Sequence, residues 1–275
     1  MKRLNSILWL FAVLVFVPVA IGGRVQEQET VYQPAVGQPG KDVVWVPTEQ
    51  DLVDKMLDMA KVTPDDYVID LGSGDGRTVI TAAKRGTRAM GIEYNPDMVE
   101  LSKKNAAEAG MSEKATFVKA DLFESDFSTA TVITMFLLPD LNLRLRPILL
   151  NMKPGTRVVS NSFNMNEWDA DDKISVEGKC YTWCTAYLWI VPAKVEGEWK
   201  LPQGELTLKQ EFQKVSGTLN SNGKDIPIKG KLNGYEISFS AGDEQYDGRV
   251  NGDSISGTLK SDSGDVRWTA TRVAP

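Results

Sequence analysis

Histidine is missing from all 275 residues. Its absence removes the side chain that most often serves as a general base at neutral pH, the catalytic triads built on imidazole, and most transition-metal sites. No metal centre is expected. Cysteine is nearly missing too: Cys180 and Cys184 are the only thiols, too few for a zinc cluster, and their Cys-x-x-x-Cys spacing excludes a thioredoxin-like redox pair. A local disulfide in an oxidising compartment and two buried free thiols both remain open for them. A basic surplus is also lacking. The 31 Lys and Arg residues face 37 Asp and Glu, a net charge of -6, so no excess of positive charge exists to displace counterions from a phosphate backbone, and nucleic acid is not an expected partner.

What remains is an ordinary globular composition, 42% hydrophobic and 25% charged, long enough for one sizeable core and a smaller one. The chain opens on Lys2-Arg3, an apolar run over residues 7–21 broken by Pro18, and then Gly22-Gly23-Arg24. These are the three parts of a secretory signal, and a cut after Gly22 would leave Ala20 and Gly22 at the small-residue positions. The run is also nearly long enough to stay in a bilayer. Residues 1–23 therefore read as a signal peptide or membrane anchor, with membrane association through residues 7–23. Either outcome keeps Lys2 and Arg3 inside and makes the body of the chain periplasmic or otherwise extracytoplasmic, with a cytosolic active site as the open alternative. Residues 24–44 carry Gln33-Pro34 and Gly37-Gln38-Pro39-Gly40 without an apolar period, which reads as an exposed linker.

Residues 45–192 alternate between two periods. Thr48 is placed to cap a helix over 49–60 whose Leu52, Met56, Leu57 and Ala60 share a face. Strand 67–71, helix 77–85, strand 88–93, helix 96–109 and strand 116–120 follow, with Asn95-Pro96 as a cap and first helical proline. Strand 131–136, helix 141–152, strand 157–161 and a last strand over 186–191 complete the series. Such alternation predicts a mainly parallel, doubly wound α/β sheet of Rossmann-like type with helices on both faces. Beyond Pro192 the helical period is absent. Over 193–275, short alternating segments are separated by Asn222-Gly223, Asn233-Gly234, Asn251-Gly252 and Ser263-Gly264, which predicts a small all-β antiparallel barrel or sandwich. Ser-Gly-Thr-Leu occurs at 216–219 and again at 256–259, a short echo of a duplicated hairpin. Gly197-Glu198-Trp199 reads either as the opening strand of a barrel or as a turn glycine beside a core tryptophan.

The strongest motif is Asp70-Leu71-Gly72-Ser73-Gly74-Asp75-Gly76. An apolar strand runs into three alternating glycines and then a helix, which lets backbone approach a ligand closely at a helix N-terminus. A dinucleotide fingerprint would place the third glycine one residue later and would serve a pyrophosphate. The acids at Asp70 and Asp75 repel pyrophosphate and suit a ligand bearing amino and sulfonium charges. Glu93 ends the next strand, where a carboxylate can accept from both hydroxyls of a ribose. Asp121 follows the third strand, placed to accept from an adenine amino group between Leu122 and Phe123.

These strand-end acids and the glycine loop resemble those of the class I, seven-stranded methyltransferases. A narrower likeness runs through Val46-Pro47-Thr48, the glycine loop, Thr131-Val132-Ile133-Thr134-Met135-Phe136-Leu137-Leu138-Pro139 and Met152-Lys153-Pro154-Gly155-Thr156-Arg157-Val158-Val159-Ser160. Over roughly residues 45–165 the chain is similar to the lysine methyltransferases of the ATP-synthase c-subunit and adenine-nucleotide-translocase type and, more distantly, to the non-SET histone-lysine methyltransferase. The resemblance implies S-adenosyl-L-methionine as cofactor, held by Thr48, Asp70, Gly72, Ser73, Gly74, Asp75, Gly76, Glu93, Asp121 and Leu122. It also implies an acceptor channel lined by the loop after the fourth strand, with Met135, Phe136, Leu137 and Pro139 as candidates and Asn161 and Phe163 beside them. The histone enzyme begins this loop with a polar asparagine, whereas this chain has Met135-Phe136. A protein lysine is the implied acceptor. A small-molecule acceptor, and an exported binding module that keeps the fold without catalysis, are the other readings.

Overall fold

The computed structural model describes residues 32–273 except 179, 181, 203, 262 and 263. The leader read over residues 1–23 lies outside the described residues. Among the described residues no helix is long and apolar enough to cross a membrane.

Strands β1 (Tyr67–Leu71), β2 (Arg88–Glu93), β3 (Ala115–Lys119), β4 (Val132–Met135), β5 (Arg157–Asn161), β6 (Asp172–Ser175) and β7 (Thr185–Ile190) form one seven-stranded sheet. Its order is β3-β2-β1-β4-β5-β7-β6. The first five strands are parallel, and β7 runs antiparallel to both β5 and β6. β1 and β4 are nearly continuous apolar runs because both of their faces are covered. Helices α1 (Gln50–Met59), α2 (Arg77–Lys84), α3 (Pro96–Glu108) and α4 (Pro139–Leu149) surround this sheet. One apolar cluster joins Leu52, Met56, Val79 and Val99 to Val68 and Val132. Another joins Leu141, Leu145 and Leu149 to Ile69 and Ile133. The strand order reverses between β1 and β4, so the crevice at their carboxyl ends is where such sheets bind ligands.

Three local readings are corrected. Asn95 caps α3 as expected, accepting from the amide of Asp97 at 2.9 Å, but Thr48 does not cap α1. Glu49 holds that position, and the buried Thr48 hydroxyl accepts instead from Asn161 Nδ2 at 3.1 Å. Helix α4 starts two residues before its sequence pattern because Pro139 takes the first helical turn, where a missing N–H costs nothing. The second half of the stretch read as a linker is folded. Residues 37–45 form a hairpin in which Gly37 N donates to Trp45 O at 2.8 Å and Trp45 N to Gln38 O at 2.9 Å, with a bridge between Pro39 and Val44.

The remaining strands are β8 (Gly197–Leu201), β9 (Gly204–Glu211), β10 (Lys214–Ser221), β11 (Lys224–Asn233), β12 (Glu236–Ala241), β13 (Glu244–Asn251), β14 (Ser254–Ser261) and β15 (Gly264–Arg272). They close into an antiparallel barrel, with β8 sealing it against β9 and β15. Gly197-Glu198-Trp199 thus opens a strand, and the buried Trp199 also donates its indole N–H to Val195 O at 2.8 Å. Alternate residues point inward, and Phe239, Tyr246 and Trp268 meet there with centroids 4.8–5.8 Å apart. The interior is side-chain core. Gln213 Nε2 donates to Asp169 O at 2.8 Å and Phe212 stacks on Trp168, joining the barrel to the segment before β6.

Candidate functional site

The crevice is built from the ends of β1, β2 and β4, from the segment after β3, and from the hairpin. At the end of β1, Asp70 sits opposite Thr134 in the β4 register and accepts its hydroxyl hydrogen at 2.6 Å. Burial pushes the Asp70 carboxyl up to about 7, the Thr134 and Thr78 hydroxyls opposing the shift and the charges of Glu93 and Asp75 adding to it. A carboxylate kept in such surroundings is a mark of function more often than of stability.

The glycine loop is held from several sides. Gly72 N and Ser73 N both donate to Ile92 O, at 2.9 and 3.1 Å, which fastens the loop to β2. Ser102 Oγ donates to Gly74 O at 2.8 Å and Asn105 Nδ2 to Asp75 O at 2.9 Å, both from α3. Glu93 accepts from Gly74 N and from Asn95 N, each at 2.9 Å, one on each carboxylate oxygen. Each oxygen keeps a lone pair for a further donor. Asp75 is paired with Arg77 at 2.7 Å, and Arg77 also donates to Thr48 O at 2.9 Å.

Gly74 has φ +54°, and a Cβ there would lie 2.6 Å from Trp45 Nε1. The Trp45 ring therefore covers the α-carbon of Gly74, laying the hairpin across the loop. At the hairpin's tip Lys41 pairs with Asp121, and its ammonium lies 5.1 Å from the centroid of the Tyr94 ring. The Lys41 hydrogen bond holds the Asp121 carboxyl below the usual carboxylate range, and Asp121 in turn raises Lys41. Both groups reach solvent, so the pair fixes geometry more than it adds stability.

The resulting cleft is open to solvent, and its empty space with the open mouth included is about 1040 Å³. Of the residues expected to hold a cofactor, Thr48, Asp70, Gly72, Ser73, Gly74, Asp75, Glu93, Asp121 and Leu122 line it. Of the acceptor candidates, Met135, Phe136 and Leu137 line it. Gly76, Pro139, Asn161, Phe123 and Phe163 do not. Gly76 is a packing position, where a Cβ would meet the Phe117 ring at 2.8 Å. Asn161 stands behind the wall and acts on the cleft through Thr48. Phe123 carries the Arg144 guanidinium over its face at 3.8 Å. Lys41, Trp45 and Tyr94 were not expected and do line the cleft. The turn dipeptide Pro39-Gly40, between Val36 and the Val43-Val44-Trp45-Val46 run, is the sequence signal that could have found the hairpin. Cys180 and Cys184 form a disulfide, which resolves the alternative left open for them.

The comparisons with known proteins bear on this site. Residues 70–172 match the ANTKMT methyltransferase domain. A protein-lysine N-methyltransferase of Saccharolobus islandicus is 43% identical over 152 residues, 54% of this chain and 94% of the archaeal protein. The Homo sapiens lysine N-methyltransferase of the ATP synthase c-subunit is 31% identical over 166 residues, 59% of this chain and 70% of the human one. Among solved structures, an RNA methyltransferase from Salinibacter ruber in complex with S-adenosyl-L-homocysteine is 47% identical, with a TM-score of 0.51 over 55% of this chain and 96% of that one. With the acid-lined glycine loop at its centre, the chain belongs to this family of S-adenosylmethionine-dependent methyltransferases.

Proposed function

We propose that the protein transfers a methyl group from S-adenosylmethionine to the ε-amine of a protein lysine. The observation that carries this reading is one cleft whose lining is of two kinds, the carboxylates with the glycine loop, and the apolar Met135, Phe136 and Leu137. The polar part of the lining fits the cofactor on three counts. Four acids, Asp70, Asp75, Glu93 and Asp121, suit a cationic ligand. Gly72 and Gly74 line the cleft and bring backbone, with no side chain of their own, to its surface. The buried Ser73 hydroxyl has no hydrogen-bond partner among the described residues. Glu93 would take the ribose hydroxyls, Asp121 and Leu122 the adenine, and the glycine loop with Asp70 and Asp75 the amino-acid part.

When bound, the cofactor supplies an electrophilic methyl group on a positively charged sulfur. The chain's own residues then have two tasks. Fixed backbone donors and acceptors position the reacting groups, and such positioning can lower a barrier by about 7–11 kcal/mol in favourable cases. The apolar wall disfavours an ammonium and favours the neutral amine that a methyl acceptor must present. Neither task needs imidazole.

An RNA acceptor is the second reading, favoured by the 47% identity to the Salinibacter RNA methyltransferase. The net charge of -6 and the acids of the cleft oppose it. The test is to incubate the protein with methyl-labelled cofactor together with a lysine-rich peptide and total RNA, then hydrolyse both and separate the products. Label is expected as methylated lysine. Label confined to nucleosides would overturn the lysine reading.

A further inference from the structure

Beyond the cleft, Phe136 belongs to a second assembly. Its ring centroid lies 6.2 Å from that of Phe163 and 6.1 Å from that of Trp183, and Phe163 and Trp183 are 5.2 Å apart. The sheet register brings these three together. β5 and β7 are antiparallel with Asn161 opposite Ala186, so the chain leaving β5 at Phe163 passes the chain entering β7 from Trp183. Ser162 N donates to Thr185 O at 2.7 Å and holds the two segments side by side. Cys180 and Cys184 close a short loop by their disulfide, and Trp183 lies inside it at φ +59°, a conformation a bulky side chain seldom adopts without restraint. Its ring stays 46% exposed.

The partly exposed rings of Tyr67, Tyr94, Phe123, Tyr187, Phe212 and Tyr235 each carry a Lys or Arg of this chain over a face. Among the described residues no such cation lies over Phe136, Phe163 or Trp183. Three rings at mutual angles of 23–58°, joined to the cleft through Phe136 and holding no cation of their own, make a face for an alkyl chain ending in an amine.

We propose that Trp183, held by the Cys180–Cys184 disulfide, forms with Phe163 and Phe136 the outer wall of the acceptor site and recognises the lysine side chain of a protein substrate. The proposal rests on the lysine reading above. The disulfide is a positioning element and Trp183 the specificity-determining residue. Attraction between the protonated amine and a ring face, together with contact along the alkyl stem, acts on substrate capture, before the amine gives up its proton to solvent and presents its lone pair.

Trp183→Ala is expected to raise KM for a lysine-rich peptide by roughly tenfold, as lost cation–π and packing contacts imply, with kcat and cofactor affinity changed less than about twofold. Trp183→Phe is expected to restore most of the loss. The Cys180→Ser/Cys184→Ser double variant is expected to raise KM in the same direction and to add little on top of Trp183→Ala, since both remove one interaction. Adding the same peptide to protein labelled at tryptophan nitrogen should move the Trp183 indole N–H resonance, which the Trp183→Phe variant assigns by its disappearance. An unchanged KM in Trp183→Ala alongside methylated lysine from the parent protein would overturn the proposal and leave the lysine reading standing. A moving Trp183 resonance without methylated lysine would show that the rings bind peptide, and would overturn the lysine reading and with it the assignment of the rings to an acceptor site. Neither movement nor methylated lysine would overturn both.

Discussion

Gly74→Ala is expected to weaken binding of S-adenosylhomocysteine by at least about 100-fold in calorimetry while the protein stays folded. The backbone at Gly74 has φ +54°, which costs an alanine roughly 1–2 kcal/mol. The added methyl would also lie 2.6 Å from Trp45 Nε1 and 3.0 Å from Trp45 Cδ1, so Trp45 must move, by its ring turning or the hairpin 37–45 lifting, or the loop must sink. Either movement reaches the cofactor wall. Gly74 N holds one oxygen of Glu93, and Gly74 O is held by Ser102. Lifting the hairpin strains the Lys41–Asp121 pair at its tip. A loss of 100-fold corresponds to about 2.7 kcal/mol. Adding Trp45→Ala removes the obstacle, so the double variant should be less destabilised than the sum of the two single ones. An affinity within threefold of the parent would show that the bare α-carbon under Trp45 has no part in the site.

Asp70→Asn is expected to stabilise the protein above neutral pH and to damage cofactor binding. The carboxyl pKa stands at about 7 in the folded chain against 3.8 ordinarily. A raised pKa means that the folded state binds this proton more tightly than the unfolded chain. The associated stability is full below pH 3.8, is lost progressively as pH rises towards 7, and stays lost above it. At about 1.4 kcal/mol per pH unit, the loss at pH 8 is on the order of 4 kcal/mol. Asparagine keeps an oxygen for the Thr134 hydroxyl, carries no charge, and ends the repulsion from Glu93 and Asp75. Its melting temperature at pH 8 is expected to exceed the parent's by roughly 5–10 °C, and the difference should vanish near pH 4. A cationic cofactor binds best to the ionised acid, so the parent's affinity should rise from pH 6 to pH 8 while that of Asp70→Asn stays flat and at least about tenfold weaker at pH 8. Equal stability at pH 8, or parallel pH profiles for binding, would contradict this account.

These two residues also mark how far the site was legible in the sequence. Asp70, the glycines and Glu93 lie at the carboxyl ends of parallel strands joined by βαβ crossovers, which all face one edge of the sheet, so their meeting could be anticipated from the pattern alone. Lys41, Trp45 and Trp183 carry no such periodicity. Lys41 meets Asp121 across 80 positions of sequence, and Trp183 is aimed by a disulfide and a reversed strand. Thr48 shows the limit from the other side. Its residue type and its place before an apolar helix indicate a cap, but Asn161, 113 positions away, offers its hydroxyl a buried partner, and the tertiary contact overrides the local preference. The barrel was legible from its alternation and its Asn-Gly turns. Its closure was not, because β8 holds only five residues, and strand 197–201 gains its meaning by pairing with β9 and β15.

The central claim is that the cofactor lies in the cleft lined by the glycine loop and the hairpin, and hydrogen exchange read by mass spectrometry tests it most directly. With S-adenosylhomocysteine bound, exchange is expected to slow at the amides of residues 72–76, at Asn95 beside Glu93, and across residues 37–45, while strands β9 to β13 of the barrel exchange as before. Slowing confined to the barrel, or none at the glycine loop while calorimetry records binding, would contradict the account.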